Sequence, residues 1–416
     1  LVAVLAIAIP FGAITAKIFA EIIDETPRQP FQILLNSGVA PLTAFFYTLL
    51  PQAFLNLLSY VFYRFECSIR SAAVLGMIGA GGLGYEILLS LQSLRYQQLW
   101  TFFYALFLLN GAVDFTSAWT RQQLGCPSRL DLNAHQRSPT HPTAPKSGKN
   151  RRLSIVLSLS LLSLISFCFW YVQADFHKLW SFRTYRLLGD MLRSSLPPDW
   201  SITTQLLPLA GQTVSMSVLA IALAAVGGML LSFPAAHNFF LPGGLLNRTG
   251  QGNRWVAWLG LLVARSLLLM SRAVPAPVWA LVVLFVTFPG ILPGAIALGL
   301  HNLGILGRLK AEVIENLDQR PLEALKAQGT PSSLIWLYGV LPLTFTRFLA
   351  YDLYRWEVCM RETVIVGLVG AGGLGYLMME QLSSFDYRAL LPTLISFIML
   401  TFIVDWISAT ARRALR

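Results

Sequence analysis

The sequence predicts an all-α polytopic membrane protein made of two tandem homologous halves. Three observations carry that expectation. Of 416 residues, 55% are hydrophobic and only 12% are charged, against roughly 25% charged in an ordinary soluble domain. The apolar residues gather in long runs, several long enough to cross about 30 Å of hydrocarbon as a helix. A stretch of chain also recurs in the same direction, shifted by 291 residues, which carries Gly38 onto Gly329. A mean hydropathy of +0.60 excludes disorder and a coiled coil. It also excludes a nucleic-acid-binding domain, despite a net charge of +11. In a membrane protein such a balance belongs to cytoplasmic loops, where Lys and Arg set orientation.

Taken in chain order, the clearest apolar runs are 1–16, 99–113, 153–172, 214–233, 274–288, 291–300, 341–351 and 390–404. Some are short or broken by Pro and Gly, which membrane helices tolerate where they line a protein cavity. Residues 121–152 differ. They hold Arg121, Arg129, Arg137, Lys146, Lys149, Arg151 and Arg152 against the single acid Asp131, with four prolines and no apolar run. This is read as a flexible basic cytoplasmic linker. It separates the first half, 1–120, from the second, 153–416, whose transmembrane core covers about 208–410. From the linker, 153–172 runs outward, 173–205 carries the mixed charge of an external loop, and 214–233 returns. Residues 254–272, with Trp255 and Trp258 at the start and Arg265 inside, read as a helix at the inner surface. Leu1 lies inside an apolar run and aligns with Leu292. The second half has about 140 residues before that point, so the first half is expected to lack an N-terminal part of that size.

Tyr60–Tyr85 (YVFYRFECSIRSAAVLGMIGAGGLGY) and Tyr351–Tyr376 (YDLYRWEVCMRETVIVGLVGAGGLGY) agree at 13 of 26 positions. The same shift matches Pro30 with Pro321, Leu50-Pro51 with Leu341-Pro342, Val113-Asp114 with Val404-Asp405, and Arg121 with Arg412. Same-direction repeats in a membrane chain imply two homologous halves with a pathway between them.

Three motifs sit on this repeat. GAGGLG contains Gly79, Gly81, Gly82 and Gly84, and again Gly370, Gly372, Gly373 and Gly375. It satisfies a dinucleotide fingerprint only formally: no strand precedes it and no acid follows about 20 residues on. The alternative is a non-helical or tightly crossing segment in the membrane, where glycine lets backbones approach. The second motif is Glu323-Ala324-Leu325-x3-Gly329-x11-Leu341-Pro342, with Pro321 placed to begin a short helix and Gly329 to end it. Its second copy is Gln32-Ile33-Leu34-x3-Gly38-x11-Leu50-Pro51. The third is Tyr-Arg-x-Glu-x3-Arg, giving Arg64, Glu66 and Arg70, and Arg355, Glu357 and Arg361. On a helix Glu66 and Arg70, and Glu357 and Arg361, are four apart and share a face. Ionisable groups at membrane depth are functional candidates, and two readings stay open. The Glu/Arg pairs are structural ion pairs, or these residues, Arg64 and Arg355 above all, line an anion pathway. His301 reads as a packing histidine, and Asp114 and Asp405 as anchors at the inner face.

The second motif resembles the EAA loop of ABC importer permeases, EAA-x3-G-x9-I-x-L-P. Arg272-Ala273-Val274-Pro275 and the tract HNLGILGRLKAE at 301–312 are similar to the same superfamily. With YRxE-x3-R and GAGGLG, the chain most resembles the phosphonate-type (PhnE-like) permeases; methionine-type permeases share all of these but YRxE-x3-R. The resemblance covers nearly everything outside the linker. It implies a type I ABC importer (MetI-like) transmembrane fold in the bacterial cytoplasmic (inner) membrane. The loop would form the helix that couples to a cytoplasmic ATPase dimer, which alone carries ATP and Mg. A substrate-binding protein outside the membrane would deliver phosphonate or a related oxyanion such as phosphite or phosphate. In the first half the triplet departs to Gln32-Ile33-Leu34, and Thr48 and Gly339 replace the Ile, so the second loop is expected to couple more strongly. Whether one chain or two copies complete the pathway stays open.

No catalytic constellation is present. GxxxxGK[ST], HExxH and a Ser/His/Asp set are absent, and Cys67, Cys126, Cys168 and Cys359 form no metal spacing. The chain is therefore expected not to be an enzyme and to bind no metal or cofactor. The competing functions are a permease for another small solute, methionine-type; an ion-coupled secondary transporter; and a membrane scaffold or sensor. Uptake with and without ATP separates them.

Overall fold

The structure is a computed structural model. It describes residues 2–124, 162–173, 180–240, 254–288, 290–318 and 320–414. Cys126, most of the expected linker and the start of the run 153–172 lie outside the described residues. The chain forms two compact units, 1–185 and 186–416. Among the described residues, eight helices are long and apolar enough to cross a membrane.

The first unit begins with α1 (Val2–Glu25), followed by the short α2 (Gln29–Asn36). Next come α3 (Pro41–Ala44), a π-helical turn (Phe45–Leu49) and α4 (Leu50–Leu75). A second π-helical turn (Gly76–Ala80) leads into α5 (Leu83–Gln92), and α6 (Tyr96–Leu124) returns. Ile22, Ala53 and Leu57 bury the α1–α4 contact, with Phe19 and Tyr60 packed beside them. The helix α7 (Leu162–Val172) completes this unit.

The boundary between units falls inside α8 (Phe182–Ser194), so α7 falls within the first unit's range. Arg121 belongs to α6 rather than to the linker, because it is held there by an ion pair described below.

In the second unit α9 (Thr203–Ala235) and the short α10 (His237–Phe240) precede α11 (Arg254–Ala273) and α12 (Ala276–Val286). Asp199 caps the turn before α9, accepting from the Ser201 amide at 2.9 Å, and these bonds hold its carboxyl below the usual carboxylate range. The long α13 (Ile291–Glu315), α14 (Arg320–Ala327) and α15 (Ser332–Ile335) follow. A π-helical turn (Trp336–Val340), α16 (Leu341–Val366), a second such turn (Gly367–Ala371), α17 (Gly373–Ser383) and α18 (Tyr387–Ala414) complete it.

Small residues let α13 lie close to its neighbours, the usual way membrane helices associate when apolar burial offers no preference over lipid. A Cβ on Gly228 would meet the Gly307 amide at 3.0 Å, and one on Gly304 would meet the Leu268 carbonyl at 2.6 Å. Outside this interface the surface is apolar, with Leu207 80% exposed, Leu230 67% and Phe402 73%. Water does not tolerate such a surface and lipid does.

Two expectations are corrected here. The helix expected at the inner surface, α11, is long and apolar enough to span, and its Leu261, Ala264 and Leu268 are buried. The run 291–300 continues as helix through Glu315. The charges of 308–315 hide that continuation because hydropathy registers charge and not its partner; Lys310 is 1% exposed and paired with Asp352.

The repeat is carried into the backbone. The shift of 291 takes α2 onto α14, both π-helical turns onto their counterparts, and α4 onto α16, end for end. Gly38 and Gly329 share φ of +81°, and Gly79 and Gly370 lie at +115° and +107°.

Candidate functional site

Three places gather the chemistry. The first is the pair of short helices after α1 and α13. Leu322 of α14 is fully buried with Ile335, Val340 and Phe348, and Leu325 packs against the same cluster, so the helix is fastened from one face. Gly339, which stands where the resemblance expects Ile, leaves the room: a Cβ there would lie 2.5 Å from Leu322 Cδ2. Glu323 and Ala324 face outward, exposed. The helix ends with the Gly329 amide donating to Lys326 O and Thr330 to Leu325 O, a left-handed stop that favours glycine. In the first unit Gly38 and Val39 make the same bonds to Leu35 and Leu34. Gln32 is exposed, as is Ile33 at 64%. Pro51 and Pro342 each follow a π-helical turn, where the missing N–H is accommodated.

A clamp precedes the second short helix. Arg265 pairs with Glu315 at 2.6 Å and its Nε donates to the Ala235 carbonyl at 2.9 Å. The same Glu315 oxygen accepts from the His237 amide at 2.9 Å. The end of α13 is thereby tied to the end of α9 and to the middle of α11. The sequence reading placed Arg265 at the headgroups and missed this; the orphan carbonyls that end α9 were the available signal.

The second place is the Tyr-Arg-x-Glu-x3-Arg segment on α4 and α16. In the second unit the expected Glu357–Arg361 pair is not made. Glu357 pairs with Arg412 at 2.5 Å and Arg361 with Asp405 at 2.5 Å, both partners on α18. In the first unit buried Glu66 accepts from Arg121 at 2.9 Å and from Ser117 at 2.6 Å, both on α6, while Arg70 Nε donates to the Glu66 carbonyl at 3.4 Å. An interhelical partner wins because an exposed i,i+4 pair contributes only about 0.3–0.5 kcal/mol, whereas a partly buried carboxylate needs strong donors. Asp405 therefore does more than anchor the chain end. The matched Arg121/Arg412 and Ser117/Ser408 positions carried this signal.

Arg355 is buried and neutralised. It donates from Nε to Asn302 Oδ1 at 2.8 Å, makes a second, shorter bond to the same oxygen from Nη2, and pairs with Glu362 at 3.4 Å. Glu362 lies two helical turns after Arg355, so the i,i+7 spacing was readable but was not used. Arg64 differs. Its Nε donates to the Tyr60 hydroxyl at 2.7 Å, and its guanidinium lies 5.4 Å from the Phe11 ring, 5.2 Å from Tyr60 and 5.9 Å from Tyr63. Elsewhere in the second unit, Lys310 pairs with Asp352 at 2.8 Å, donates to the Ala225 carbonyl at 3.0 Å and lies over Phe348 at 5.5 Å. His301 Nδ1 bonds the Val274 carbonyl at 2.9 Å, a packing role.

The third place is GAGGLG. Within the π-helical turns the backbone leaves helical geometry at Gly79 and Gly370, and Gly81, Gly82, Gly372 and Gly373 also take positive φ. The chain then folds back so tightly that a Cβ on Gly375 would sit 2.3 Å from the Val364 carbonyl oxygen. In the first unit a Cβ on Gly84 would sit 1.9 Å from Ala73 O. Leu374 N donates to Thr213 Oγ1 at 3.0 Å, fixing the loop to α9. Among the described residues no group of His, Cys, Asp or Glu could hold a metal.

Repeated spanning helices, repeated outward-facing short helices and paired charges within the spans define a membrane permease. The chain belongs to the family described as "Binding-protein-dependent transport system inner membrane component", whose model matches residues 1–119 and again 251–416. It is a multi-pass membrane protein with two copies of that fold in tandem. It is 26% identical over 413 residues to the phosphate-import permease protein PhnE of Mycolicibacterium smegmatis, covering 99% of this chain and 72% of that one. It is 33% identical over 227 residues to the phosphite transport system permease protein PtxC of Stutzerimonas stutzeri, covering 54% of this chain and 77% of that one. A solved chain of the MetNI methionine ABC transporter, inward facing, is matched at 15% identity and a TM-score of 0.44, over 52% of this chain and 99% of that one.

Proposed function

We propose that this chain is the permease of an ATP-driven, binding-protein-dependent importer of small phosphorus oxyanions: phosphonate, phosphite or phosphate. The observation that carries the reading is the doubled short helix, anchored inward through Leu322 in the second unit and exposing Glu323 and Ala324 there, and Gln32 and Ile33 in the first. A helix fastened from within and bare outside is suited to a partner's groove. The partner is a cytoplasmic ATPase dimer, which binds ATP and Mg and performs the hydrolysis that this chain does not. An extracytoplasmic binding protein supplies the anion. The setting is the bacterial cytoplasmic membrane, and the cargo class follows from the named relatives.

In the mechanism, closure of the ATPase dimer moves α2 and α14. Movement of α14 reaches α13 and α16 through the Leu322 cluster, and the Arg265–Glu315 clamp makes the ends of α9 and α13 move with the middle of α11. The test replaces Glu323 and Gly329 together (Glu323→Ala, Gly329→Ala), then measures ATP-dependent uptake of phosphite and co-purification of the ATPase. Both are expected to fall; unchanged uptake and binding sinks the proposal.

A further inference from the structure

The two halves carry an arginine at the same place but handle its charge differently. In the second unit Arg355 is held by Asn302 and Glu362. Shifted by 291, those two positions are Phe11 and Ser71. Both elements that supply the partners, α13 and α16, have counterparts in the first unit, α1 and α4, so the loss is a change of residue and not of helix. Among the described residues no acidic side chain pairs with Arg64. Its neighbours there are three ring faces and one hydroxyl. Aromatic faces stabilise a guanidinium through their quadrupole without cancelling its charge, and they hold the plane in one orientation. Tyr60 takes the Nε–H, which leaves the terminal N–H groups as a fork suited to two oxygens of one anion. Arg64 and its rings are half-buried, whereas Arg355 is buried.

We infer that Arg64, cradled by Phe11, Tyr60 and Tyr63, is a binding site for a small tetrahedral oxyanion in the first unit, and that Arg355 is its neutralised structural counterpart. The inference rests on the oxyanion-import reading. It departs from a symmetric pathway in which each half offers one guanidinium, because the charge of Arg355 is already offset by the Glu362 carboxylate.

The test uses the full chain reconstituted in proteoliposomes with its ATPase and binding protein, and follows uptake of phosphite, phosphate and methylphosphonate in turn. Arg64→Gln should lower the rate at saturating binding protein at least tenfold, while the ATPase still co-purifies and still hydrolyses ATP. Arg64→Lys should recover part of the rate. Phe11→Asn with Ser71→Glu installs the second unit's neutralising pair and should lower the rate as Arg64→Gln does, with Arg64 still present. Arg355→Gln should instead reduce the yield of folded complex. Uptake by Arg64→Gln within twofold of the unaltered chain overturns this inference alone. So does equal loss of assembly in Arg64→Gln and Arg355→Gln. If the unaltered chain takes up none of the three anions, the import reading falls and this inference with it.

Discussion

Alanine at Gly375 tests the tight return that follows the second π-helical turn. Its new Cβ would stand 2.3 Å from the Val364 carbonyl oxygen, 2.9 Å from Val364 Cα and 3.0 Å from Gly367 Cα. All three obstacles are main-chain atoms, which cannot rotate away as a side-chain tip can. Inserting a methyl into a packed core costs about 1–3 kcal/mol, and backbone obstacles put this site at the upper end. At roughly 2–4 °C per kcal/mol for a unit of this size, melting should fall by about 6–12 °C. Gly260 is the control: it lies within α11 with nothing inside 4 Å of a new Cβ, so Gly260→Ala should leave melting unchanged or raise it by helix propensity. The assay is thermal unfolding of detergent-solubilised protein, followed by size-exclusion of the surviving fraction. If Gly375→Ala melts within about 2 °C of the parent, the close return is not part of the folded state and the reasoning fails.

Three further outcomes follow from the packing. Leu322→Ala should destabilise by about 2–4 kcal/mol by emptying a fully buried site, and should weaken ATPase co-purification with Glu323 intact. Glu357→Gln should cost about 1–3 kcal/mol by leaving Arg412 without its carboxylate, and exchanging the pair (Glu357→Arg, Arg412→Glu) should recover part of that in a double-mutant cycle. Lys310→Met alone should destabilise by about 3–5 kcal/mol by stranding Asp352, whereas Lys310→Met with Asp352→Leu should be near neutral in the same melting assay. The first unit is the natural precedent for that double change, with Phe19 and Val61 at the matching positions.

Much of the architecture was legible because two signals are strong in a membrane chain. Apolar runs locate spans, and an internal repeat lets one half check the other. The short helices were readable from Pro321 and Gly329, since a turn at positive φ selects glycine by sterics alone. Less was legible where charge meets charge. A helical wheel shows that Glu357 and Arg361 share a face, but not that α18 brings Arg412 and Asp405 within reach. Lys310 shows the same limit: among Arg308, Glu312 and Glu315 nothing in the sequence points to Asp352, 42 residues away. The contrast between Arg64 and Arg355 was written in the sequence at Phe11 and Ser71, but it acquires meaning only when the structure shows which residues hold Arg355.

After α5 and α17 the chain turns through a non-glycine residue with left-handed backbone, Leu94 at φ 55° and Phe385 at φ 57°. The closing bonds agree as well, from Arg95 to the Ser90 carbonyl at 2.8 Å and from Asp386 to the Gln381 carbonyl at 2.9 Å. Such a torsion costs a side-chain-bearing residue about 1–2 kcal/mol, yet both copies retain it with different side chains at the strained position. Counting identities scores nothing at Leu94 and Phe385, yet the bend, its torsion and its closing bond repeat there at the 291-residue shift. The likeness of the two halves thus extends to positions where their residues differ, and comparing dihedral angles registers it where comparing residues does not.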